Sequence, residues 1–205
     1  TNRIWTDQHM SYLSEGDKYT ICFTPAQTKI TRQDGNIETI TKICISPNEP
    51  VELRTIELTN RGIEAETIEV TSFLEPVLSN ETQDYAHPAF NKLFLNYEYL
   101  EDTHSIIVNR RRRTTNEKPI FLGVNFYTEN EVIGEAEYEI DKEKFYGRNN
   151  LGLPNAVKNS NPFSSQINLT TEPIISFKRT LTLKPEEKVT LNLILAVGDS
   201  KKQVE

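Results

Sequence analysis

Thr28-Lys29-Ile30-Thr31-Arg32-Gln33-Asp34-Gly35-Asn36-Ile37-Glu38-Thr39-Ile40-Thr41-Lys42-Ile43-Cys44-Ile45-Ser46 is the stretch whose reading decides the fold of this chain. β-Branched residues flank Asp34-Gly35, a pair that accepts the positive φ angles of a type I′ turn, so the segment is expected to fold back as a β-hairpin. Pairing Gln33 with Asn36 sets Ile30 opposite Thr39. Since side chains alternate between the two faces of a strand, Ile37, Ile43 and Ile45 then share a face with Ile30, while Ile40 and Cys44 share the other. Apolar residues on both faces put the hairpin inside a layered structure.

The period of two continues outward from there. Pro47-Asn48-Glu49-Pro50 interrupts the ladder, because proline has no N–H to donate, and strands over 51–58 and 63–74 flank Asn60-Arg61-Gly62 as a second hairpin. Alternation returns over 93–99, 104–109, 120–127 and 135–140. Ile175, Phe177, Leu181 and Leu183 share one parity, and so do Val189, Leu191, Leu193, Leu195 and Val197; with Lys184-Pro185-Glu186-Glu187 between them they read as a terminal hairpin. Roughly a dozen short strands without a convincing helical stretch predict an all-β chain, a large antiparallel β-sandwich. The sandwich is expected over 1–198, with 199–205 turning polar as the start of a linker. Between Phe145 and Gln166 periodicity vanishes, and irregular stretches of that length commonly carry function or move.

Size and charge narrow the function classes. A chain of 205 residues suits one all-β domain around a continuous core. Lys and Arg total 23 against 30 Asp and Glu, a formal charge of -7, which disfavours a nucleic-acid surface. No apolar run approaches the roughly 20 residues that cross a bilayer, and no signal peptide precedes the first strands. The sequence starts at Thr1 and holds Met10 as its single methionine, so a natural start upstream is expected. Cys22 and Cys44 lack metal-ligand spacing; each falls in a strand, where a buried free thiol is the ordinary reading and one bridge between neighbouring strands the alternative.

Two constellations stand out. His87 precedes Pro88, which holds it extended and could aim its imidazole out of the loop 84–94. Beside Tyr85 and Phe90, such a histidine is more often a packed, hydrogen-bonded plug; paired with His104 or a glutamate it could instead serve a mutarotase-like sugar epimerase. Arg110-Arg111-Arg112-Arg113 could fork onto phosphate or carboxylate oxygens, yet in a strand the four would point to both faces, so a strand end in solvent or a partner-docking interface is expected. Trp5, Tyr12, Tyr127, Tyr138 and Tyr146 offer aromatic faces for a sugar ring, although core packing is the commoner role. Gly-rich phosphate loops, zinc spacings and nucleophile elbows are absent from the sequence, so neither a catalytic residue nor a metal site is assigned.

One set of strings has a wider likeness. Arg3-Ile4-Trp5-Thr6, Ser46-Pro47 with Leu58-Thr59-Asn60, Glu69-Val70-Thr71-Ser72-Phe73-Leu74-Glu75, Ala86-His87-Pro88-Ala89-Phe90-Asn91-Lys92-Leu93-Phe94, Arg110-Arg111 and Phe145-Tyr146-Gly147-Arg148 follow one another in order across nearly the whole chain. Together they resemble the N-terminal β-sandwich region of the cyclic β-1,2-glucan synthase and cellobiose phosphorylase group, glycoside hydrolase family 94, nearest to the synthase's phosphorylase-like part and to 1,2-β-oligoglucan phosphorylases. Arg112 and Arg113 depart from the proline-containing pattern of that group, and the sandwich begins late against it.

The resemblance implies a galactose-mutarotase-like supersandwich followed, in a parent chain, by a helical linker and an (α/α)6 catalytic barrel that transfers or phosphorolyses β-linked glucosyl units. For this chain it implies a non-catalytic scaffold and interface role without a cofactor, inorganic phosphate being used by a phosphorylase parent. His87, Tyr146, Arg148 and Trp5 are then candidates for a sugar or interface loop, and Arg110, Arg111, Arg112 and Arg113 for an interface. Expected partners are the barrel, a glucan oligosaccharide and a second copy through the sandwich; the expected location is cytoplasmic, or the cytoplasmic portion of a membrane-bound parent. A free-standing carbohydrate-binding module and the small epimerase remain the alternatives.

Overall fold

The computed structural model describes residues 3–7, 16, 18–148 and 152–205; Met10 and Tyr12 lie outside them. The strands are β1 (Lys18–Phe23), β2 (Thr28–Asp34), β3 (Ile37–Ile45), β4 (Val51–Asn60), β5 (Glu66–Thr71), β6 (Leu95–Leu100), β7 (Ser105–Arg110), β8 (Phe121–Thr128), β9 (Ile133–Asp141), β10 (Pro173–Leu183) and β11 (Lys188–Gly198). Short helices are α1 (Glu81–Ala86), α2 (Pro88–Lys92), α3 (Lys142–Tyr146), α4 (Asn155–Lys158) and α5 (Lys201–Val204). An eight-stranded sheet has the order β1-β2-β3-β4-β11-β8-β7-β6, and a three-stranded sheet the order β5-β10-β9. No helix among the described residues is long and apolar enough to cross a membrane. The chain divides into two compact units, one made of 1–70, 127–135 and 179–193 and the other of 71–126, 136–178 and 194–205.

In the first unit β2 and β3 form the expected hairpin with a shifted register. Asp34 pairs with Ile37 and Ile30 with Thr41, so Gly35 and Asn36 make the two-residue turn. Only Gly35, at the first turn position, takes a positive φ, 61°, which is the II′ pattern rather than I′. The shift is by two residues, so the faces survive it: Ile30, Arg32, Asp34, Ile37, Thr39 and Thr41 are buried together. Arg32 and Asp34, two apart on that face, meet as a fork, Nε to Oδ2 at 2.6 Å and Nη2 to Oδ1 at 2.9 Å. The Asp34 hydrogen bond holds the Arg32 guanidinium above its ordinary pKa despite burial. Removing Arg32 takes the guanidinium fork away from the buried Asp34 carboxylate, at a cost of about 3–5 kcal/mol.

The second and terminal hairpins of the sequence reading are corners between sheets. β4 lies in the larger sheet and β5 in the smaller, and the same holds for β11 and β10. Asn60, fully buried, joins the two corners. Its Nδ2 donates to the carbonyls of Glu64 (2.7 Å) and Leu183 (3.0 Å), while its Oδ1 accepts from Gly62 N at 2.8 Å. Its backbone N–H donates to Glu187 O at 3.1 Å, and its carbonyl accepts from Glu186 N at 2.8 Å. One side chain thus satisfies backbone groups that hairpin pairing would otherwise have satisfied.

In the second unit the part of β10 over 173–178 is buried on both faces. Ile174, on the even face, packs in a cluster with Phe145, Ala156 and Phe163, so the irregular stretch and its helices α3 and α4 cover the smaller sheet. Tyr99 of β6 stacks on Tyr138 of β9 with ring centroids 4.2 Å apart, which brings the two sheets face to face in this unit. The polar end of the chain forms α5, whose Val204 is buried and sits where a Cβ on Gly123 of β8 would collide with it. Both thiols are free: Cys22 is exposed on edge strand β1 and Cys44 half-buried, its Sγ directed at Leu53 O at 3.7 Å. The buried-thiol and bridge readings therefore both give way to position, because β1 has a neighbour on one side only and Cys22 pairs with Lys29.

Candidate functional site

The most specific string of the sequence folds into helix where loop was expected. Asn80 caps α1 by accepting from Gln83 N at 2.9 Å, and Glu81 and Asp84 lie in the first turn, where negative charge suits a helix N-terminus. His87, with φ −147° and ψ 64°, ends α1, and Pro88 opens α2 at the position where its missing N–H costs nothing. Helices of six and five residues are too short to leave a periodic signal. The side chain of His87 is exposed, so it is not the packed plug of the sequence reading.

What packs instead is Asn91. It is buried; its Nδ2 donates to Gln83 O at 2.6 Å, and its Oδ1 accepts from Arg110 Nη2 at 3.3 Å. Sequence reasoning passed over it. The signal available was its place three residues after Pro88, on the turn of α2 that faces back toward α1.

Arg110, at the end of β7, is likewise buried and anchors the adjoining loop: Nη1 donates to Glu117 Oε2 at 3.2 Å. Glu117 also accepts from the backbone N–H of Arg113 at 2.7 Å, and that bond, with the neighbouring guanidinium charge, holds its carboxyl below the usual value. Arg111, Arg112 and Arg113 are exposed. The carbons at the centres of the Arg110, Arg111 and Arg113 guanidiniums lie 5.3, 5.3 and 5.7 Å from the centre of the Phe94 ring, and that of Arg113 lies 5.5 Å from Phe90. Phe90 meets Phe94 edge to face at 5.1 Å. Two motifs noted separately in the sequence are therefore one surface. Under it is a cavity of about 10 Å³, room for one water molecule, lined by Ser79, Asp84, Asn91 and Arg110; Ser79 Oγ and Arg110 Nε have no protein partner there.

The remaining candidates are dispersed. Tyr146 is half-buried against Phe73, edge to face at 5.6 Å, with Lys142 Nζ 5.9 Å from its ring centre. Lys142 binds Glu75 at 2.6 Å, and Lys92 binds Glu172 at 3.0 Å and Glu75 at 3.7 Å, a network that ties α2 to α3. Arg148 is exposed, with a 3.4 Å contact to Glu143. Trp5 belongs to the first unit, where its indole N–H donates to Thr39 Oγ1 at 3.2 Å. Tyr127 is exposed in that same unit, Tyr138 is buried in the second, and Tyr12 lies outside the described residues. His104 sits in the β6–β7 turn, its Nδ1 2.8 Å from the Tyr99 hydroxyl. No cluster of three or more metal-binding side chains occurs among the described residues.

Comparison with known proteins now adds to this geometry. A family model for the supersandwich domain of glycosyl hydrolase 94 matches residues 1–205. Among curated proteins, the cyclic β-(1,2)-glucan synthase NdvB of Rhizobium meliloti (strain 1021) is 27% identical over 193 residues, 93% of this chain and 7% of NdvB. The chain thus spans less than a tenth of the curated relative that it matches. Among solved structures, a polysaccharide lyase has TM-score 0.47 and 15% identity, covering 93% of this chain and 26% of the lyase. A protein described as a kojibiose phosphorylase from the human microbiome has TM-score 0.46 and 13% identity, covering 87% of this chain and 18% of its own.

Proposed function

We propose, from the premise that this chain belongs to the glycosyl hydrolase 94 supersandwich domain family, that it is the non-catalytic β-sandwich part of a larger enzyme acting on β-linked glucosyl units, a β-1,2-glucan synthase or a phosphorylase. The observation that carries the reading is the family match over residues 1–205, which describes a domain and not an entire enzyme. The likeness to a cyclic β-(1,2)-glucan synthase supports the substrate class. The role is scaffold and interface: the chain holds a helical catalytic portion of its parent in place, and bond-making resides there.

The local geometry agrees with that division of labour. General acid–base chemistry needs two titratable groups facing a common substrate position. His87 is exposed at the junction of α1 and α2, whereas His104 engages Tyr99 in a hairpin turn. Exposed guanidiniums and aromatics at 90–113 suit contact with protein better than turnover.

The test is direct. Purified chain is incubated with β-1,2-gluco-oligosaccharides and inorganic phosphate, and release of glucose 1-phosphate is measured. No release is expected from this chain; with a phosphorylase parent, release appears when the helical portion is present in the same polypeptide. Release by the 205-residue chain alone would falsify the proposal.

A further inference from the structure

We infer that the surface built by Phe90, Leu93, Phe94, Arg111, Arg112 and Arg113 is a docking site for an acidic protein segment carrying apolar side chains. This deepens the scaffold reading and rests on it, since it names the face through which the chain holds its partner and that partner's chemistry.

Charge is the first argument. The chain carries a formal -7, yet here four arginines are consecutive. The acidic group beside them, Glu117, is already engaged by Arg110 and by the Arg113 backbone. Arg111, Arg112 and Arg113 make no carboxylate ion pair among the described residues, so their forks face solvent with open donor positions. A guanidinium presents its N–H groups in a plane that matches a carboxylate two bonds at a time.

Packing is the second. Arg111 and Arg113 lie against the Phe94 ring, which limits their motion and lowers the entropy lost when they bind. The same contacts take up the face of Phe94, so this ring is not free to stack on a sugar. Beside the cations stand apolar groups that water does not favour: Phe90 is 47% exposed and Leu93 55%. Arginine with aromatic residues, rimmed by polar surface, is the composition of a protein-binding hot spot. The surface is also well supported from below, because buried Asn91 and Arg110 bind each other and fix α2 against the end of β7.

The test uses the full chain and, as probe, a fluorescent peptide in which glutamate alternates with leucine, followed by anisotropy at low and moderate salt. Saturable binding that weakens with salt is expected, falling about tenfold or more in the Arg111→Glu/Arg113→Glu double variant, as expected when paired charges are reversed. Leu93→Ser should weaken it a few-fold through lost apolar contact. Lys158→Glu, exposed at the end of α4, should leave it unchanged, and all variants should melt with the parent chain. The assignment is overturned if the wild-type chain fails to bind, if a lysine-for-glutamate peptide binds as well, or if the double variant binds undiminished. Tighter binding of a single-stranded oligonucleotide, or displacement of the peptide by β-1,2-gluco-oligosaccharide, would overturn it too. Failure here with a silent glucose 1-phosphate assay removes this surface and leaves the scaffold reading; release of glucose 1-phosphate with intact peptide binding does the reverse.

Discussion

Residues 81–94 and the described residues of 145–166 both lack a strand pattern and both belong to the second unit, yet they are held differently. The first is fastened by buried Asn91 on Arg110 and by the ion pairs of Lys92, and leaves Tyr85, Phe90, Leu93 and three guanidiniums in solvent. The second is bound down by charged side chains, of which Glu139 and Lys178 are buried. Glu139 accepts from the backbone N–H groups of Ile140 (3.0 Å), Asp141 (3.1 Å) and Ser164 (3.1 Å). Glu137 accepts from Phe163 N at 2.6 Å and pairs with Lys178 at 3.0 Å; Lys178 also donates to Asn161 O at 2.8 Å and lies 4.7 Å from the Phe163 ring centre. A segment outside the strand ladder must still satisfy its backbone once it covers a sheet, and side-chain carboxylates and an ammonium do part of this here. Length without periodicity therefore does not mean a lack of anchors: the longer stretch is fastened at Asn161, Phe163 and Ser164.

The largest effect that this contrast predicts is at Glu139. Glu139→Ala orphans three backbone donors, the buried one of Ile140 and the half-buried ones of Asp141 and Ser164, and should cost about 3 kcal/mol, seen as a fall in denaturation midpoint and faster proteolysis within 145–166. A variant that melts with the parent chain would remove the idea of a charge-fastened cover. Lys178→Met should follow, at about 1–3 kcal/mol, because it takes the donor from the Asn161 carbonyl and the ammonium from half-buried Glu137.

Asn91→Ala comes next. Loss of the bonds to Gln83 and Arg110 should cost about 1–3 kcal/mol, with hydrogen exchange accelerating over α1 and α2 and not over β10. Exchange rising equally in both would mean that the two regions are not independently held.

Arg111→Glu with Arg113→Glu should shift stability by no more than about 1 kcal/mol, since both side chains are exposed and neither makes an ion pair among the described residues. A large destabilisation would turn the arginine surface from a docking face into part of the fold.

The smallest effect is a local titration. Glu117 is held below its ordinary value near 4.5, first by the Arg113 N–H and then by the Arg110 and Arg113 charges. A depressed carboxyl stabilises above its unfolded value and loses that contribution as pH falls through the folded one, so the 110–117 loop should loosen only below about pH 4.5. The Arg113 amide shift in an NMR titration reports it, and a midpoint above the ordinary value would contradict the contact.

Much of the strand inventory could be read from alternation, because a strand half-exposed to water sorts its side chains by parity whatever it pairs with. The faces of β2 and β3 came through a register error unharmed for that reason: a two-residue slip preserves parity. Sheet membership could not be read. Asn60-Arg61-Gly62 and Lys184-Pro185-Glu186-Glu187 are turn sequences in either role, and only the hydrogen bonds of Asn60 distinguish a corner from a hairpin. The candidate surface was half legible. His87 and the arginine run were visible as strings, but the side chain that joins their elements, Asn91, carries no local signature.

Local chemistry, then, specified what repeats: strand faces, turn positions, an acidic surface with one basic run, and a family likeness carried by strings spread along the chain. Folding in three dimensions decided what depends on partners distant in sequence. It set which sheet each strand enters, which charges are buried because a neighbour satisfies them, and which arginines remain in water. Alternation is enforced residue by residue by solvent, whereas pairing is settled by a competition among all segments that no single segment records.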